Sequence, residues 1–146
     1  MQRVYRRFQG RFTVGAVGVL LNAAGEVLLV EHVLHPRQPW GLPGGWVSRN
    51  ELPQKAVERE FHEETGLGVR VTHPLDIWPG QHWRNHIDMA FAVEMVDTEQ
   101  LNSAPQIRLS GEFLSYQWAS LDSLPALFPE HRHVISLAVK QQQRNA

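Results

Sequence analysis

The sequence predicts an α/β fold in which a mixed β-sheet is sandwiched between α-helices. Short apolar, valine-rich runs that are typical of buried strands occur both before and after one central helical segment. A second helical segment closes the chain. At 146 residues the chain is long enough to bury one core, so we expect a single domain over residues 1–146, with a basic arm at 1–12.

The first half of the chain is predicted to begin with two strands, at 13–21 and 26–33. The turn residues at 22–25 separate these strands, and we expect them to form a hairpin. Residues 36–45 combine three prolines with three glycines, which predicts a loop that ends in a stiff bend.

A central helix is predicted from Pro53, which suits the first turn of a helix, to about residue 65, where Gly66 supplies the stop. Val57 and Phe61 form an apolar stripe that we expect to anchor this helix on the sheet. The remaining predictions are strands at 68–77, 85–96 and 113–119, a polar loop at 97–110, a last helix from about 130 to 142, and a frayed tail at 143–146.

The composition excludes several classes of protein. A formal net charge of -1 provides no global basic field to recruit nucleic acid, and the absence of cysteine excludes disulfides, thiolate zinc sites and cysteine nucleophiles. The apolar run at 13–21 is too short to span a bilayer, and the basic N-terminus lacks the pattern of a signal peptide. We therefore expect a cytoplasmic protein that does not contact membranes.

Three glutamates, Glu60, Glu63 and Glu64, lie within five residues of the central helix. At 100° per residue they fall within a sector of about 60°, where like charges repel. They offer up to six hard oxygen donors, which suit Mg²⁺ or Mn²⁺. A solvated acidic face is the alternative interpretation. Two features disfavour it, because the helix dipole opposes negative charge near a C-terminus and the glycine pair at 44–45 lets carbonyl oxygens approach an ion.

The spacing around this cluster is Gly45, five residues, Glu51, seven residues, and then Arg-Glu-Phe-His-Glu-Glu-Thr-Gly-Leu at 59–67. It resembles the Nudix box, G-x5-E-x7-R-E-U-x-E-E-x-G-U with U apolar, and every defined position is filled. The segments at 13–32, 40–43 and 117–125 also look like that family. The resemblance therefore covers most of the chain and implies the sheet-and-helix sandwich of the family.

The resemblance implies a pyrophosphohydrolase that uses Mg²⁺ or Mn²⁺ to cleave a diphosphate linkage in a nucleoside diphosphate derivative, by attack of water on phosphorus. Arg59 is expected to orient one of the box glutamates, and Glu51 to support the geometry of loop and helix. The metal ligands that it implies are three side chains and one backbone carbonyl, Glu60, Glu63, Glu64 and Gly45.

Two positions depart from the family pattern. Leu52 stands where a serine or threonine usually caps the helix, and Asn50 stands where glycine is frequent. A missing cap costs about 1 kcal/mol, and asparagine tolerates a left-handed turn. Neither change removes an expected ligand, so we predict an active site.

Other candidate residues lie outside the metal-binding glutamates. Glu112 is interpreted as a metal ligand, a general base or an ordinary loop acid, and Glu63 or Glu64 are alternative bases. The eight histidines show no ligand spacing and are expected on the surface or in packing contacts. Candidates for stacking on a base or holding a phosphate are aromatic and arginine side chains near the box, Trp46, Arg49, Trp83 and Arg84.

The sequence leaves the substrate open. A nucleoside triphosphate and ADP-ribose or another nucleotide sugar are the favoured classes. The first alternative is processing of capped or 5′-triphosphate RNA, in which the basic arm at 1–12 would contact the phosphate backbone, although the near-neutral charge disfavours it. The second is a non-catalytic Nudix-fold regulator that binds nucleotides, which a complete box disfavours. A monomer and a homodimer are both compatible with the sequence.

Overall fold

Two β-sheets and two α-helices make up the computed structural model, which describes residues 9–80, 83–96 and 106–146. The helices of this described part are α1 (Pro53–Thr65) and α2 (Pro129–Arg144), and a short 3₁₀ turn spans Leu121–Ser123. The strands are β1 (Thr13–Leu20), β2 (Val27–His32), β3 (Trp40–Gly41), β4 (Gly44–Trp46), β5 (Val69–Pro79), β6 (His86–Met95) and β7 (Phe113–Ala119).

The larger sheet has the strand order β4-β1-β6-β5, and the smaller has the order β3-β2-β7. In the larger sheet β1 and β6 run parallel, whereas β1–β4 and β5–β6 are antiparallel. The smaller sheet is antiparallel throughout. The predicted α/β class with a mixed sheet between helices is confirmed, although the strands divide into two sheets.

The predicted hairpin between the first two strands is wrong. β1 pairs with β4 and β6, β2 pairs with β3 and β7, and the two strands meet only at an isolated bridge between Leu21 and Val27. Because both edges of each strand are already paired, the turn between them carries the chain from one sheet to the other. The segment predicted as a loop and bend at 36–45 supplies two of these partners, the short strands β3 and β4.

The core lies on both faces of β1. Val57 and Phe61 of α1 are fully buried in one cluster with Leu20, which confirms the predicted anchoring stripe. On the opposite face Val19 packs in a second cluster with Ile135 of α2. Successive residues of a strand point to opposite faces, so a strand covered on both sides must be apolar nearly throughout. This explains the continuous apolar run of β1.

The ends of α1 follow from local chemistry. Pro53 occupies the first turn, Leu52 provides no side-chain cap, and Gly66 ends the helix in the left-handed conformation at φ 74°. Asn50 is also left-handed, at φ 63°, as its replacement of glycine predicts. The beginning and end of α1 therefore agree with the prediction.

The C-terminal helix differs slightly from its predicted bounds. α2 spans Pro129–Arg144 and so ends two residues beyond the predicted end of the last helix. No helix in the described ranges is long and apolar enough to cross a bilayer. Residues 1–8 of the predicted basic arm and 97–105 of the predicted polar loop lie outside the described residues.

Candidate functional site

The carboxylates of α1 line an open cleft of about 1010 Å³. Glu60, Glu63 and Glu64 all contribute to its wall, so the common sector predicted from their spacing corresponds to one surface. The opposite walls come from the end of β2, the glycine pair that begins β4, and the segment 110–113, which leads into β7. The cleft therefore lies where both sheets meet one end of α1.

Glu64 is the buried member of the cluster. Only 5% of the residue is exposed, and its Oε2 accepts a hydrogen bond from the backbone N–H of Gly44 at 2.9 Å. Burial raises the pKa of Glu64 to about 8, against an ordinary value of 4.5, and the charges of Glu60, Glu112 and Glu63 add to this rise. A negative charge on Glu64 is therefore unfavourable, because the carboxylate is buried and other carboxylates lie near it. A cation bound beside these groups would remove that penalty.

Arg59 contacts three glutamates of the site and its supporting loop. Its Nε and Nη2 donate to the two carboxylate oxygens of Glu51 at 2.8 and 2.9 Å, and its Nη1 donates to Glu60 at 2.7 Å and more distantly to Glu63 at 3.3 Å. Nη2 also donates to the backbone carbonyl of Trp46 at 3.2 Å. One guanidinium thus ties the helix to β4 and to the loop before the helix, and links Glu51 to Glu60.

Glu51 is fixed from two directions. Besides Arg59, the backbone N–H of Ser48 donates to its Oε1 at 3.0 Å. The hydrogen bonds from Arg59 and then Ser48 lower the pKa of Glu51 to about 2. Because both oxygens of Glu51 are occupied by the protein, its geometry is that of a support and not of an open ligand.

The glycine pair allows β4 and α1 to approach each other closely. A Cβ on Gly45 would lie 2.6 Å from the carboxyl carbon of Glu60, and a Cβ on Gly44, at φ 155°, would lie 2.2 Å from the carbonyl oxygen of Ala16. The contact at Gly44 is with backbone, so a side chain there would push β4 away from β1, whereas a side chain at position 45 would displace the carboxylate of Glu60. Gly44 therefore lets β4 lie against β1, and Gly45 lets the carboxylate of Glu60 lie directly against β4.

Glu112 joins the cluster through the backbone of its loop. The N–H groups of Arg108 and Ser110 donate to the last carbonyls of α1, on Thr65 and Glu64, at 2.8 and 3.0 Å. These bonds hold the loop beside the C-terminal end of the helix, and Glu112 then lies on the cleft wall. The sequence left open whether this residue belongs to the site, and its position in the cleft favours that it does.

The donor chemistry of the cleft fits a hard divalent cation. The four carboxylates offer oxygen ligands, and the closeness of Gly45 to Glu60 leaves the strand backbone within reach of the same region. Within the described ranges, no three carboxylate or imidazole side chains are already gathered as a metal site. Arg59 and the N–H of Gly44 hold oxygens of Glu60 and Glu64 instead.

The four predicted substrate contacts fall into two groups. Trp46 lies on the cleft wall, and Trp83 meets it edge to face, with ring centroids 6.0 Å apart. Arg49 and Arg84 are exposed and are not among the described residues that line the cleft. The structure thus brings the two tryptophans together at the site and leaves the two arginines outside its wall.

Two histidines of the cleft were missed. His32 and His35 both line it, with ring centroids 5.5 Å apart, and burial followed by the charge of His35 lowers the pKa of His32. The sequence interpretation placed all histidines on the surface or in packing contacts. The available signal was their position, since His32 ends β2, His35 follows it, and both precede the glycine pair that begins β4.

Comparison with known proteins gives a consistent picture. The NUDIX domain family model matches residues 11–138. An ADP-ribose pyrophosphatase from Methanocaldococcus jannaschii is 27% identical over 82% of this chain and 69% of that protein. An RNA pyrophosphohydrolase from Rhodopseudomonas palustris is 30% identical over 84% of this chain and 83% of that protein.

Solved structures of similar proteins have the same fold. The MutT protein from Methanosarcina mazei superposes with a TM-score of 0.71, over 94% of this chain and 99% of that one. The sequences of the two are 22% identical, so this likeness concerns the fold alone.

Proposed function

Since this chain belongs to the Nudix family and is a pyrophosphohydrolase of that family, we propose that it uses Mg²⁺ to hydrolyse a diphosphate linkage in a small nucleoside diphosphate derivative. The observation that carries the metal requirement is the buried Glu64 carboxylate with three further glutamates close enough to raise its pKa. A divalent cation is the natural counter-charge for such a cluster. Mn²⁺ has the same ligand preference and is the alternative ion.

The proposed ligands are the carboxylates of Glu60, Glu63 and Glu64 with the carbonyl of Gly45, and Glu112 is the candidate for an additional ligand. A divalent cation held by these groups would supply positive charge close to the diphosphate oxygens and would make a water molecule easier to ionise. The surrounding residues position the ligands. Phosphoryl transfer depends on such positioning and charge neutralisation more than on covalent chemistry.

The protein groups that remain free to act on the attacking water are those with open oxygens. The side chain of Glu63 is 58% exposed, and Glu112 is exposed on the other wall of the cleft. Each is a candidate general base, because a base must reach the water whose proton it accepts. Glu64 remains a third candidate, although the backbone N–H of Gly44 already occupies one of its oxygens.

A small nucleotide is the favoured substrate class, as a nucleoside triphosphate or as ADP-ribose or another nucleotide sugar. The open cleft of about 1010 Å³ offers room for groups on both sides of a diphosphate. The relatives named above include an enzyme of ADP-ribose and one of RNA, so RNA belongs in the same test. The arm proposed to contact RNA lies mostly in residues 1–8, outside the described part of the chain.

The test is release of phosphate, pyrophosphate or nucleoside monophosphate from a panel of nucleoside triphosphates, ADP-ribose, nucleotide sugars and 5′-triphosphate RNA. Each substrate is incubated with Mg²⁺, with Mn²⁺ or with EDTA. We expect turnover only with a divalent ion. Glu63→Gln and Glu64→Gln should each lower kcat/KM about a hundredfold or more, because each removes a charged oxygen from the reaction centre.

Glu58→Gln is the matched control. Glu58 lies on the same helix, outside the cleft, where its Oε2 pairs with Lys55 at 2.8 Å and its Oε1 accepts from the backbone N–H of Val71. A glutamine keeps the second contact and loses a surface ion pair worth less than about 1 kcal/mol, so activity should stay within about twofold. The absence of turnover on every substrate, or equal activity of Glu64→Gln and wild type, would refute the proposal.

A further inference from the structure

Two large aromatic side chains remain exposed beside the carboxylate cleft. Trp46 is 51% exposed and Trp83 is 63% exposed, although the two rings contact each other edge to face. Exposing tryptophan rings to water is unfavourable, and such rings on proteins frequently mark a binding surface. Trp46 also lines the cleft that holds Glu60 and Glu63, so this aromatic surface is continuous with the proposed reaction site.

The ring of Trp46 rests on a buried histidine. His86 is 8% exposed, and its ring centroid lies 5.1 Å from that of Trp46. Its Nε2 is 2.9 Å from Oδ1 of Asp88 and its Nδ1 is 2.7 Å from Oγ1 of Thr13. A carboxylate only accepts, so Nε2 carries a proton and donates to Asp88. Both ring nitrogens are therefore held, and the imidazole is a fixed support for the tryptophan.

The register of the strands explains this arrangement. Trp46 of β4 lies opposite Gly15 of β1, and Gly15 lies opposite Asp88 of β6, so the three positions share one face of the sheet. A Cβ on Gly15 would lie 2.4 Å from Oδ1 of Asp88 and 3.2 Å from Nε2 of His86. A Cβ on Gly80 would lie 2.4 Å from Cδ2 of His86. Two glycines thus make the space that His86 fills.

The backbone of Trp46 is tied to the carboxylates as well. Its carbonyl accepts from Arg59, the same guanidinium that holds Glu51 and Glu60. Gly45 faces Glu60, whereas Trp46, the next residue, faces His86. Successive strand residues point to opposite faces, so β4 faces Glu60 of α1 at Gly45 and His86 at Trp46. Because β4 is an edge strand, the Trp46 ring at this edge still lines the cleft.

We propose that Trp46 and Trp83, supported by His86, form a stacking site for the nucleobase of the substrate whose diphosphate enters the glutamate cleft. The identity of this ligand rests on the proposed function. A planar heterocycle covers exposed indole rings through stacking, which tolerates every base because each has a π-face. Within this site His86 is a positioning residue, since it acts on the ligand through Trp46.

The first experiment measures binding without hydrolysis. Tryptophan fluorescence is titrated with AMP and with its base-free counterpart ribose 5-phosphate, in EDTA. We expect wild type to bind AMP at least about tenfold more tightly than ribose 5-phosphate. Trp46→Ala and Trp83→Ala should each weaken AMP binding about tenfold, measured by calorimetry because they remove a fluorophore, and should leave ribose 5-phosphate unchanged. Tyr116→Ala, which removes a 43% exposed ring on β7, is the matched control and should change neither affinity.

The support is tested through Thr13. Thr13→Val removes the hydroxyl that contacts His86 and should weaken AMP binding severalfold, whereas Thr13→Ser keeps the hydroxyl and should restore the affinity. A structural role alone would lower the melting temperature without separating AMP from ribose 5-phosphate. Circular dichroism of each variant verifies the fold. If one of the two tryptophan variants does not fold, the other still tests the stacking site.

The outcomes separate this inference from the proposed function. Equal affinities of wild type for AMP and ribose 5-phosphate, or unchanged AMP binding in both tryptophan variants, would overturn the stacking site even if the enzyme hydrolyses nucleotides. Base-dependent binding that both tryptophans support would uphold it even if no substrate is hydrolysed. A 5′-phosphorylated RNA oligonucleotide that binds more tightly than AMP, and that Trp46→Ala weakens equally, would uphold the site as one for the first base of RNA.

Discussion

Replacing Glu64 by glutamine removes its negative charge while keeping its shape and its ability to accept from Gly44. The folded chain holds the pKa of this carboxyl at about 8, whereas its ordinary value is 4.5. Between these two pH values the folded state keeps a proton that the unfolded state has released. The free energy of unfolding of the metal-free protein must therefore fall as the pH rises from about 4.5 through about 8.

The size of the effect follows from the two pKa values of Glu64. A difference of about 3.5 pH units, at about 1.36 kcal/mol per unit, amounts to roughly 5 kcal/mol at high pH. For a chain of this size, 1 kcal/mol changes the melting temperature by about 2–4 °C, so the full effect is on the order of 10–20 °C. Glutamine has no charge to desolvate, and Glu64→Gln should lack this loss of stability.

The assay is thermal unfolding followed by circular dichroism in EDTA, from pH 4.5 to pH 9. Wild type and Glu64→Gln should melt at similar temperatures at pH 4.5, and the variant should be the more stable by at least about 10 °C at pH 9. Glu63→Gln changes a side chain that is 58% exposed and should retain most of the wild-type pH dependence. Added Mg²⁺ should raise the melting temperature of wild type at pH 9 more than that of Glu64→Gln. Parallel curves for wild type and Glu64→Gln would refute the reasoning.

Three further substitutions test the geometry of the site and of the helix that carries it. Gly45→Ala places a methyl group 2.6 Å from the carboxyl carbon of Glu60, which must then move. We expect kcat/KM to fall about a hundredfold in a steady-state assay. Unchanged kinetics would contradict the close contact. Gly66→Ala forces alanine to φ 74° and should lower the unfolding free energy, measured in urea, by about 1 kcal/mol. Gly68→Ala is the control and should lower it less, because no atom lies within 4 Å of its Cβ. Equal losses in the two variants would count against this explanation. Arg59→Lys loses the two-point contact with Glu51 and should lower the unfolding free energy by about 2 kcal/mol. A change below about 0.5 kcal/mol would show that a single positive charge holds Glu51 as well as the two-point contact does.

The sequence pattern was sufficient for the five longer strands, for both helices and for the face of α1 that carries acid, but not for the short strands β3 and β4. Val57 and Phe61 mark the buried stripe of that helix, and Glu60, Glu63 and Glu64 follow at spacings that a helix places on one side. Pro53 and Gly66 mark its ends, because their backbone preferences are properties of single residues. Local geometry determines all of these features, and local geometry can be derived from neighbouring residues.

Strand pairing could not be derived in this way. The turn at 22–25 predicts a hairpin, but the edges of β1 and β2 are occupied by strands that are distant in sequence, such as β6 and β7. The same long-range pairing brings Thr13 beside His86 and Trp46 opposite Gly15, and so creates the support beneath the exposed tryptophan. Nothing in the sequence distinguishes His86 from a histidine that only packs in the core.

By itself, the sequence determined the acidic face of α1, since a helix places residues three and four positions apart on one side. The contact between Gly45 and Glu60 was decided by the packing of β4 against α1. Tertiary structure decided which glutamate is buried, because the exposure of Glu64 depends on the strand and the loop that pack over it. It also brought Glu112 to the cleft and joined Trp46 with Trp83. These groups are distant along the chain, and only the pairing of strands and the packing of loops on α1 set the distances between them.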